Sequence, residues 1–512
     1  MARVILKFRE WLFSRVVIVG LLIIVQVAML AVVVLRLSRY FAIFYGIFML
    51  LSVVMTLVVI NKEENPSYKL AWMCLLLALP VSGMILFCLW GGTHQAKSLS
   101  MRKVPPIRER ESTRMESEAN LARLRRQSPE WGRLAAYLQK RGFLLYRNTD
   151  AKYFPDGTAF FDDLIDRMQE AEVYIFLEYY ILAEGQIWNR IFSVLKERAA
   201  HGVEVRIIFD DFGNITRLSD EMLQAMQDAG IEVAVFNPVH RYVNRLYFNY
   251  RDHRKIAVID GDIAYTGGAN LADEYANLIV RFGYWKDCGI RLEGEGAWGL
   301  TRQFMYLWLR MGGELRESWD SYRPRTAPEG GEFCQPLVDG PDNNPVNTAE
   351  DTFQQLISNA NRYIWITTPY LAIDEPMIRT LCIAADSGVD VRLMLPGIPD
   401  HKFAYMVALS YFGELLEHDV KIFTYTPGLL HAKSVVADGD VGFVGSVNMD
   451  YRSFQLHFEC GVLFSGSAVT AVQEDMDRVM AQSERVTLQG WRERKWYVRL
   501  LGTVLRPFAM WM

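Results

Sequence analysis

Three long apolar runs open the chain, and a region of different pattern follows them. The runs cover residues 16–35, 41–60 and 70–90, and their few polar interruptions are uncharged. Each has about the length that a helix needs to cross a bilayer core of roughly 30 Å. The first run lacks a small-x-small cleavage site, which disfavours a cleavable signal peptide. The pattern predicts a membrane region over residues 1–100 with two to three transmembrane helices.

The basic residues around these runs leave the topology of the first run open. Both the N-terminal flank and the segment after the third run are basic. Three spans put these flanks on opposite sides of the membrane, so they cannot both satisfy the positive-inside rule. The first run therefore either spans the membrane or lies at its interface, and we expect the large C-terminal part to face the cytoplasm. Pro80 and Gly83 predict a kink in the third run.

Two charged segments flank the rest of the chain. Residues 101–145 form a predicted linker, in which residues 102–142 hold eleven Lys or Arg and five Asp or Glu. The linker is either a solvated helical connector or a patch attracted to anionic headgroups. The C-terminal segment 491–512 mixes five basic residues with aromatic and aliphatic ones. It either lies on the bilayer surface or packs on the preceding domain.

Past residue 150 the pattern becomes an alternation of helices and strands that occurs twice. Each copy runs helix, strand, helix, strand. The predicted spans are 161–172, 173–178, 188–200 and 203–209 in the first copy, and 353–361, 362–367, 377–387 and 389–395 in the second. The order predicts a duplicated α/β unit of about 170 residues with helices flanking the sheets. We place the two domains at residues 146–330 and 331–490.

A short polar motif stands at the matching place in each copy. Both motifs have the spacing H-x-K-x4-D, and their residues are His253, Lys255 and Asp260, and His431, Lys433 and Asp438. A Gly follows each Asp, and Asp-Gly between apolar runs predicts a β-hairpin. The His and Lys, two residues apart, project from one face of the incoming strand. The two Asp residues lie at the turns, so we expect a supporting role for them.

Small residues and an asparagine follow each motif. Gly268 and Ser446 occupy matching positions, and Asn270 and Asn448 each stand 17 residues after the motif His. Small residues let backbone amides approach an anion. Asn suits a helix N-cap, where amide donors and the helix dipole also favour an anion. In each copy, the Asn and the small residues are expected to form half of a phosphate cradle together with the motif His and Lys.

One carboxylate stands at a matching place in each copy. Glu459 lies 28 residues after His431, and Asp287 lies 34 residues after His253 because its loop is six residues longer. We expect each carboxylate to accept a hydrogen bond from a motif imidazole, which fixes its tautomer and orientation. The sequence thus assigns one orienting carboxylate to each half.

Composition excludes several classes of function. The net charge of −4 gives no support for a nucleic-acid partner. The six cysteines are scattered without a C-x-x-C pair, so neither a zinc site nor a disulfide framework is predicted. Without H-E-x-x-H, Walker or dinucleotide motifs, no metal or other cofactor is expected. The six histidines outside the motifs, His457 among them, have no matched spacing and are expected to be structural or exposed.

The doubled motif resembles the phospholipase D superfamily, and the arrangement is similar to that of bacterial cardiolipin synthases. The segments that carry this closer likeness are Asn65-Pro66-Ser67-Tyr68, Glu178-Tyr179-Tyr180-Ile181 and Trp285-Lys286-Asp287. The extra apolar run is a departure that leaves the location of the N-terminus open. The resemblance implies transmembrane helices followed by two duplicated phospholipase D-like α/β domains. Their motifs would meet at a pseudo-two-fold interface and form one active site without a metal.

The resemblance also implies a membrane phosphatidyltransferase that makes cardiolipin and glycerol from two phosphatidylglycerol molecules. One His would form a phosphatidyl-histidine, and the other would protonate the leaving glycerol and then activate the second lipid. The family usually assigns the nucleophile to the first motif, here His253, which leaves His431 as the acid and base. The chemistry agrees, because phosphodiester exchange needs a nucleophile, a proton carrier and cationic stabilisation. Lys255 and Lys433, with the two asparagines, would supply the last.

Two alternatives use the same residues. One is a phospholipase D-type hydrolase, and the other is a transferase that takes phosphatidylethanolamine as its second substrate. The expected partners are phosphatidylglycerol, other anionic phospholipids and the bilayer itself, while the oligomeric state stays open. The resemblance places the chain in the bacterial inner membrane as a multi-pass protein with cytoplasmic catalytic domains.

Overall fold

The structure, a computed structural model, describes two units that are treated separately below. The first lies within residues 1–97 and the second within residues 98–512. The described residues are 24, 25, 28, 39–91, 101–105, 107, 109–238, 250–326, 328, 331–344 and 346–511.

The first unit contains helices α1 (Arg39–Ile60), α2 (Pro66–Ala78) and α3 (Pro80–Trp90). Within the described residues, only the Ile43–Ile60 segment of α1 forms an unbroken helix long and apolar enough to cross a membrane. The third apolar run is divided at Pro80, as predicted, because proline cannot continue the helical hydrogen-bond ladder. One of the two to three predicted spans is therefore supported. Most of the first apolar run lies outside the described residues.

The predicted linker forms two helices, α4 (Glu111–Gln127) and α5 (Pro129–Lys140), that belong to the second unit. Leu124, Trp131 and Leu138 are buried. The side chain of Asn120 also donates a hydrogen bond to the carbonyl oxygen of Leu145, at 3.2 Å. The segment is thus a helical connector, with one face packed against the body of the unit rather than fully solvated. Whether its charged face contacts headgroups stays a prediction.

The first half of the second unit is built on a seven-stranded sheet with the order β1-β9-β7-β6-β2-β3-β4. Its elements, in chain order, are β1 (Thr149–Phe154), α6 (Gly157–Gln169), β2 (Tyr174–Tyr179), α7 (Gln186–Ala200), β3 (Glu204–Asp210), α8 (Asp211–Asn214), α9 (Asp220–Asp228), β4 (Glu232–Phe236), β5 (Arg251–Asp252), β6 (Lys255–Ile259), β7 (Ile263–Gly267), a 3₁₀ helix (Asp273–Ala276), β8 (Tyr284–Lys286), β9 (Gly289–Gly294), α10 (Ala297–Arg310) and a second 3₁₀ helix (Trp319–Tyr322).

The second half is built on a sheet with the order β10-β19-β17-β16-β11-β13-β14-β20. Its elements are β10 (Cys334–Asp339), α11 (Thr348–Asn359), β11 (Tyr363–Thr367), β12 (Leu371–Ala372), α12 (Glu375–Asp386), β13 (Asp390–Pro396), α13 (Lys402–Glu417), β14 (Lys421–Tyr425), β15 (Gly428–Leu430), β16 (Ser434–Ala437), β17 (Val441–Gly445), β18 (Met449–Asp450), α14 (Tyr451–Gln455), β19 (His457–Phe464), α15 (Ser467–Ala481), β20 (Ser483–Val486), α16 (Leu488–Arg492), α17 (Trp496–Leu505) and a 3₁₀ helix (Arg506–Trp511).

The seven strands of the first sheet have counterparts in the same order in the second, which adds β20 beside β14. The parallel pairs β2–β3 and β3–β4 correspond to β11–β13 and β13–β14. The antiparallel pair β2–β6 likewise corresponds to β11–β16. Strands β2 and β3 are buried along their whole length, as is usual for parallel strands with helices on both faces. The prediction of a duplicated α/β unit with mixed sheets is confirmed, while the exact domain boundaries stay predictions.

The aspartate of each motif holds its hairpin against the neighbouring strand. The carboxylate of Asp260 accepts hydrogen bonds from the backbone N–H groups of Glu172, Val173 and Tyr174, all at 2.8 Å. Asp438 does the same for residues 361–363, at 2.7–3.0 Å. Both Asp residues and the glycines after them have positive φ, as type I′ hairpin turns require. The predicted hairpins are confirmed, and the Asp contacts are structural.

The C-terminal segment packs on the second half through one face of α17. An added Cβ at Gly502 would lie 3.1 Å from the Met406 carbonyl oxygen of α13, so this glycine allows the close approach. The other face of α17 exposes Trp496, Leu500 and Val504. The segment is therefore a helix packed on its domain, and contact of its exposed face with a bilayer stays a prediction.

Candidate active site

Two short strand pairs cross from one half to the other and bring both motifs to one place. Strand β5, just before His253, runs parallel to the start of β19 in the second half. Strand β15, just before His431, runs parallel to β8 in the first half. The backbone N–H groups of the two histidines donate to the carbonyl oxygens of Phe458 and Lys286, at 2.9 and 2.7 Å. Each motif His therefore follows a short strand that pairs with the opposite half. The segment it pairs with lies next to the carboxylate of that half.

The orienting carboxylates are exchanged between the halves. Nδ1 of His253 lies 3.0 Å from both carboxylate oxygens of Glu459. Nδ1 of His431 lies 2.7 Å from Oδ2 of Asp287. The sequence assigned one carboxylate to each half, and the docking of the halves makes each of them serve the opposite imidazole. With Nδ1 engaged in this way, the Nε2 atom of each ring is left for chemistry.

The two motif lysines are almost completely buried and place two basic groups close to the imidazoles. Lys255 and Lys433 are each 1% exposed, and each donates a hydrogen bond to the main-chain carbonyl oxygen of its motif His. Burial lowers the pKa of Lys255 to about 7 and also lowers that of Lys433. A bound anion would favour the charged form of both lysines. The site therefore suits a phosphodiester.

The two imidazoles differ in their electrostatic surroundings. Burial, followed by Lys255 and Lys433, holds the pKa of His253 well below its ordinary value. Burial and then Lys433 also lower the pKa of His431, but Asp287 acts in the opposite direction. Burial alone would raise the pKa of Asp287, yet His431 and Lys433 outweigh it and hold that pKa below its ordinary value. Of the two rings, His431 is therefore the one whose surroundings better stabilise the protonated imidazolium form.

Gly268 and Ser446 serve the carboxylates, and their amides are not available to a phosphate. Their backbone N–H groups donate to the carbonyl oxygens of Cys288 and Cys460 in the sheets. A Cβ at Gly268 would lie 2.1 Å from Oδ1 of Asp287, so only glycine leaves room for that carboxylate. The Ser446 hydroxyl instead donates to Glu459. The expectation that these small residues offer amides to an anion is wrong.

The two asparagines contact their surroundings in different ways, and neither caps a helix. Nδ2 of Asn270 donates to the hydroxyl of Tyr275 at 2.8 Å. The Tyr275 ring meets His431 edge-on, with centroids 5.5 Å apart. Asn448 presents a buried Oδ1 that has no hydrogen-bond partner among the described residues. The following helices are short, and Ala272 and Asp450 stand at their N-caps, so the expected N-cap role is wrong.

His457 belongs to the site, contrary to the expectation that it is structural or exposed. Its ring centroid lies 5.5 Å from that of His253, and its Nδ1 is 3.6 Å from Glu459. Ligand atoms of these three residues lie within 4.8 Å of one another, a spacing open to a metal ion. However, the pKa of His253 is lowered by burial and then by the positive charges of Lys255, Lys433 and Arg452, and the same charges disfavour a metal cation at this place. Strand parity was the missed signal, because residues 457 and 459 share one face of β19.

Aromatic side chains line the rest of the site. Trp285 lies 5.3 Å from His431, and Tyr180 lies 5.2 Å from His253, both measured between ring centroids. Both residues lie in segments that resemble the cardiolipin synthases, but the sequence spacing of the motifs did not predict their contacts with the histidines.

Comparison with known proteins shows which family the sequence resembles. A family model described as "Cardiolipin synthase, PLD-like domain" matches residues 164–279 and 353–480, and one described as "Phospholipase_D-nuclease N-terminal" matches residues 50–92. A cardiolipin synthase of Halalkalibacterium halodurans is 33% identical over 458 residues, which cover 88% of this chain and 90% of that protein. An uncharacterised protein of Streptococcus mutans is 35% identical over 462 residues, covering 88% and 98%.

A solved structure supports the fold alone. The crystal structure of a phosphatidylserine synthase from Haemophilus influenzae matches with a TM-score of 0.55 and 16% identity. The match covers 72% of this chain and 94% of that one.

Proposed function

The chain belongs to the cardiolipin synthase family of the phospholipase D superfamily, and from this we propose that it converts two phosphatidylglycerol molecules into cardiolipin and glycerol. The observation that carries the proposal is the pair of imidazoles, one from each half, held through Nδ1 by the exchanged carboxylates. The membrane segment in α1 supports a substrate that resides in a bilayer.

His253 is the proposed nucleophile. Its Nδ1–H donates to Glu459, so the lone pair is on Nε2, and its lowered pKa keeps the ring neutral and nucleophilic. Nε2 attacks the phosphorus of the first phosphatidylglycerol, and the bond from phosphorus to the glycerol oxygen breaks. The products of this step are a phosphatidyl-histidine and a departing glycerol.

His431 is the proposed proton carrier. Asp287, 2.7 Å from its Nδ1, supports the imidazolium, which donates its Nε2 proton to the departing glycerol oxygen. The now neutral ring takes a proton from a glycerol hydroxyl of the second phosphatidylglycerol. That oxygen attacks phosphorus, the phosphorus–nitrogen bond breaks, and cardiolipin is released with both histidines restored.

The lysines are proposed to stabilise the charge on the phosphoryl oxygens. Lys255 and Lys433 lie within Coulombic range of His253, where the transferring phosphorus is bonded. Preoriented cations in a dry site stabilise a developing negative charge more strongly than water does. An anionic substrate would in turn raise the pKa of both lysines and of His431, which keeps them protonated during the reaction.

The finer location is also part of the proposal. We infer a multi-pass protein of the bacterial cell membrane, with the two α/β halves in the cytoplasm and with phosphatidylglycerol and other anionic phospholipids as partners. The basic residues at 97–103, which follow the third apolar run, support this orientation.

The test identifies both products by mass. Purified full-length protein is incubated with phosphatidylglycerol vesicles, with and without phosphatidylethanolamine. Cardiolipin with one glycerol released for each molecule formed is the expected result, and both His253→Ala and His431→Ala should abolish it. His418→Ala is the matched control, because His418 pairs with Asp386 away from the site. Phosphatidic acid as the sole product would establish a hydrolase. Cardiolipin with released ethanolamine would establish phosphatidylethanolamine as the second substrate, acting as the phosphatidyl donor, and substantial activity in both site variants would refute the proposal.

A further inference from the structure

Large apolar side chains are exposed on two loops of the second unit. Leu278, Ile279 and Val280 lie between the 3₁₀ helix Asp273–Ala276 and β8, and Val280 is 84% exposed. Ile398 and Phe403 lie between β13 and the first turn of α13, and Phe403 is 67% exposed. These five residues are named the apolar lip. Single exposed apolar residues are ordinary, but a contiguous group marks a contact surface.

The two loops of the apolar lip meet at β15. A Cβ at Gly283 would lie 3.3 Å from Cδ1 of Ile398, so the first loop touches the second. The backbone N–H of Ile398 donates to Gly428 at 3.2 Å, and that of Tyr284 donates to Pro427 at 3.0 Å. The lip residues therefore lie on two loops that meet, one from each half of the unit.

The apolar lip stands beside His431. Trp285 follows the first loop directly, and its ring lies 5.3 Å from that of His431. Asp400 lies between Ile398 and Phe403, and its negative charge acts to raise the pKa of both His431 and Lys433. Its carboxylate is held by the Tyr370 hydroxyl at 2.5 Å, which fixes this loop next to the site. The lip thus borders the half of the site that carries the proton.

Exposed basic side chains lie beside the apolar lip. The Arg281 side chain, which pairs with Glu274 at 3.4 Å, is 50% exposed, and Lys402 is exposed at the start of α13. The acidic neighbours are turned inward, since the Glu274 and Asp400 side chains are 4% and 14% exposed. A surface with apolar side chains at its centre and basic ones around it is complementary to the headgroup region of an anionic bilayer.

We propose that the apolar lip inserts into the headgroup–acyl boundary of an anionic bilayer and brings the His431 side of the site to the lipid headgroups. The inference rests on the proposed function, because it takes the substrate to be a lipid. It adds a docking surface in the catalytic unit that is distinct from the membrane helices. The headgroup then needs to move only from the interface to the adjacent site, without the acyl chains leaving the bilayer.

The activity test compares a bilayer substrate with a soluble one. The variant Val280→Glu/Phe403→Glu is assayed as the full-length protein on long-chain phosphatidylglycerol in vesicles, and on short-chain phosphatidylglycerol below its micelle concentration. We expect at least about a tenfold loss on vesicles, because a carboxylate is costly to insert, and little change on the soluble lipid. Val173→Glu is the matched control, since Val173 is 44% exposed at the start of β2, beside the Asp260 turn.

Full activity of the double variant on vesicles would overturn the proposal. Equal loss on both substrates would overturn it as well, because the lip would then act on the site and not on the bilayer. Failure of the wild-type protein on both substrates would refute the proposed function, which keeps the two claims distinguishable.

A second measurement follows insertion directly and needs no activity. An environment-sensitive fluorophore on Val280→Cys, with Cys74 and Cys88 replaced by Ser, should shift to the blue in phosphatidylglycerol nanodiscs; the other four native cysteines are buried. The same probe on Val173→Cys should not shift. An absent shift at residue 280 would contradict insertion. A shift in detergent that grows with protein concentration would assign the lip to contact between two copies and overturn the proposal.

Discussion

Asp287→Asn tests the exchange of the carboxylates, because it changes a residue of the first half and should damage the histidine of the second. Oδ2 of Asp287 lies 2.7 Å from Nδ1 of His431, and the Asp287 side chain is fully buried. At an effective dielectric constant of about 20, opposite unit charges about 4 Å apart attract by about 4 kcal/mol. Lys433, 2.9 Å from the same nitrogen, offsets part of this attraction. At about 1.4 kcal/mol for each tenfold change, we expect kcat/KM to fall by about 10²- to 10³-fold.

The sign of the pH effect follows from the same contact. Asp287 favours the imidazolium and so raises the pKa of His431, whereas burial lowers it. Removing the carboxylate therefore lowers that pKa further. Because the first chemical step needs protonated His431, the alkaline limb of kcat/KM should move to lower pH. The measurements are steady-state kinetics in mixed micelles and an NMR titration of the His431 ring, assigned with His431→Ala.

Glu459→Gln is the matched comparison. It should reduce activity through His253, whose Nδ1 it holds, and leave the titration of His431 close to that of the wild type. The reverse result, in which Glu459→Gln moves the titration of His431 and Asp287→Asn does not, would show that each carboxylate serves its own half. That result would refute the reasoning.

Three further substitutions separate structural from chemical roles. Asp438→Asn should lower the free energy of unfolding by about 2–3 kcal/mol, because the amide loses the negative charge and one acceptor toward three backbone N–H groups. Thermal unfolding should shift by several degrees while activity per folded molecule stays high; lost activity at full stability would contradict the structural role. Gly268→Ala should reduce activity by at least about tenfold, because its Cβ would lie 2.1 Å from Oδ1 of Asp287. Ser446→Ala should be milder, since it removes one hydroxyl contact to Glu459, and equal activity of Gly268→Ala and wild type would contradict this account.

The features that local sequence determines were predictable. The apolar periodicity placed two helices and two strands in each half, since burial of one face imposes that spacing. Asp260 and Asp438 revealed the hairpins because their turns need positive φ, which the Asp-Gly pair tolerates. Pro80 revealed the break in the third apolar run for an equally local reason, the missing backbone N–H.

Features that depend on the docking of the two halves could not be predicted in this way. Asp287 and Glu459 were recognisable as a matched pair, but only the crossing strands β5 and β15 decide which imidazole each one meets. Gly268 looked like a residue that clears space for an anion. It does so, but the anion is the carboxylate of Asp287 and not a substrate phosphate. The residue types thus correctly indicated a small residue beside an anion and a carboxylate beside an imidazole. Which residues contact each other depended on the tertiary structure.

His457 and the asparagines show two different limits of sequence reasoning. His457 had no counterpart in the first half and was set aside for that reason, although its position two residues before Glu459 placed it on the same strand face. Asn270 and Asn448 were assigned to helix N-caps, but each helix begins two residues later than expected, so that Ala272 and Asp450 hold the N-cap positions. A residue that occurs in only one of the two copies, such as His457, can therefore also belong to the site.

The most direct test of the central claim is to find the covalent intermediate. The protein is mixed with phosphatidylglycerol labelled in its phosphatidyl part, quenched in base, where a phosphorus–nitrogen bond to histidine survives, and digested for peptide mapping. The account predicts the label on the peptide that contains His253, and less of it there in Glu459→Gln at the same time point. Label on the His431 peptide would reverse the assigned roles, and cardiolipin formed with no labelled histidine at any time point would contradict the mechanism.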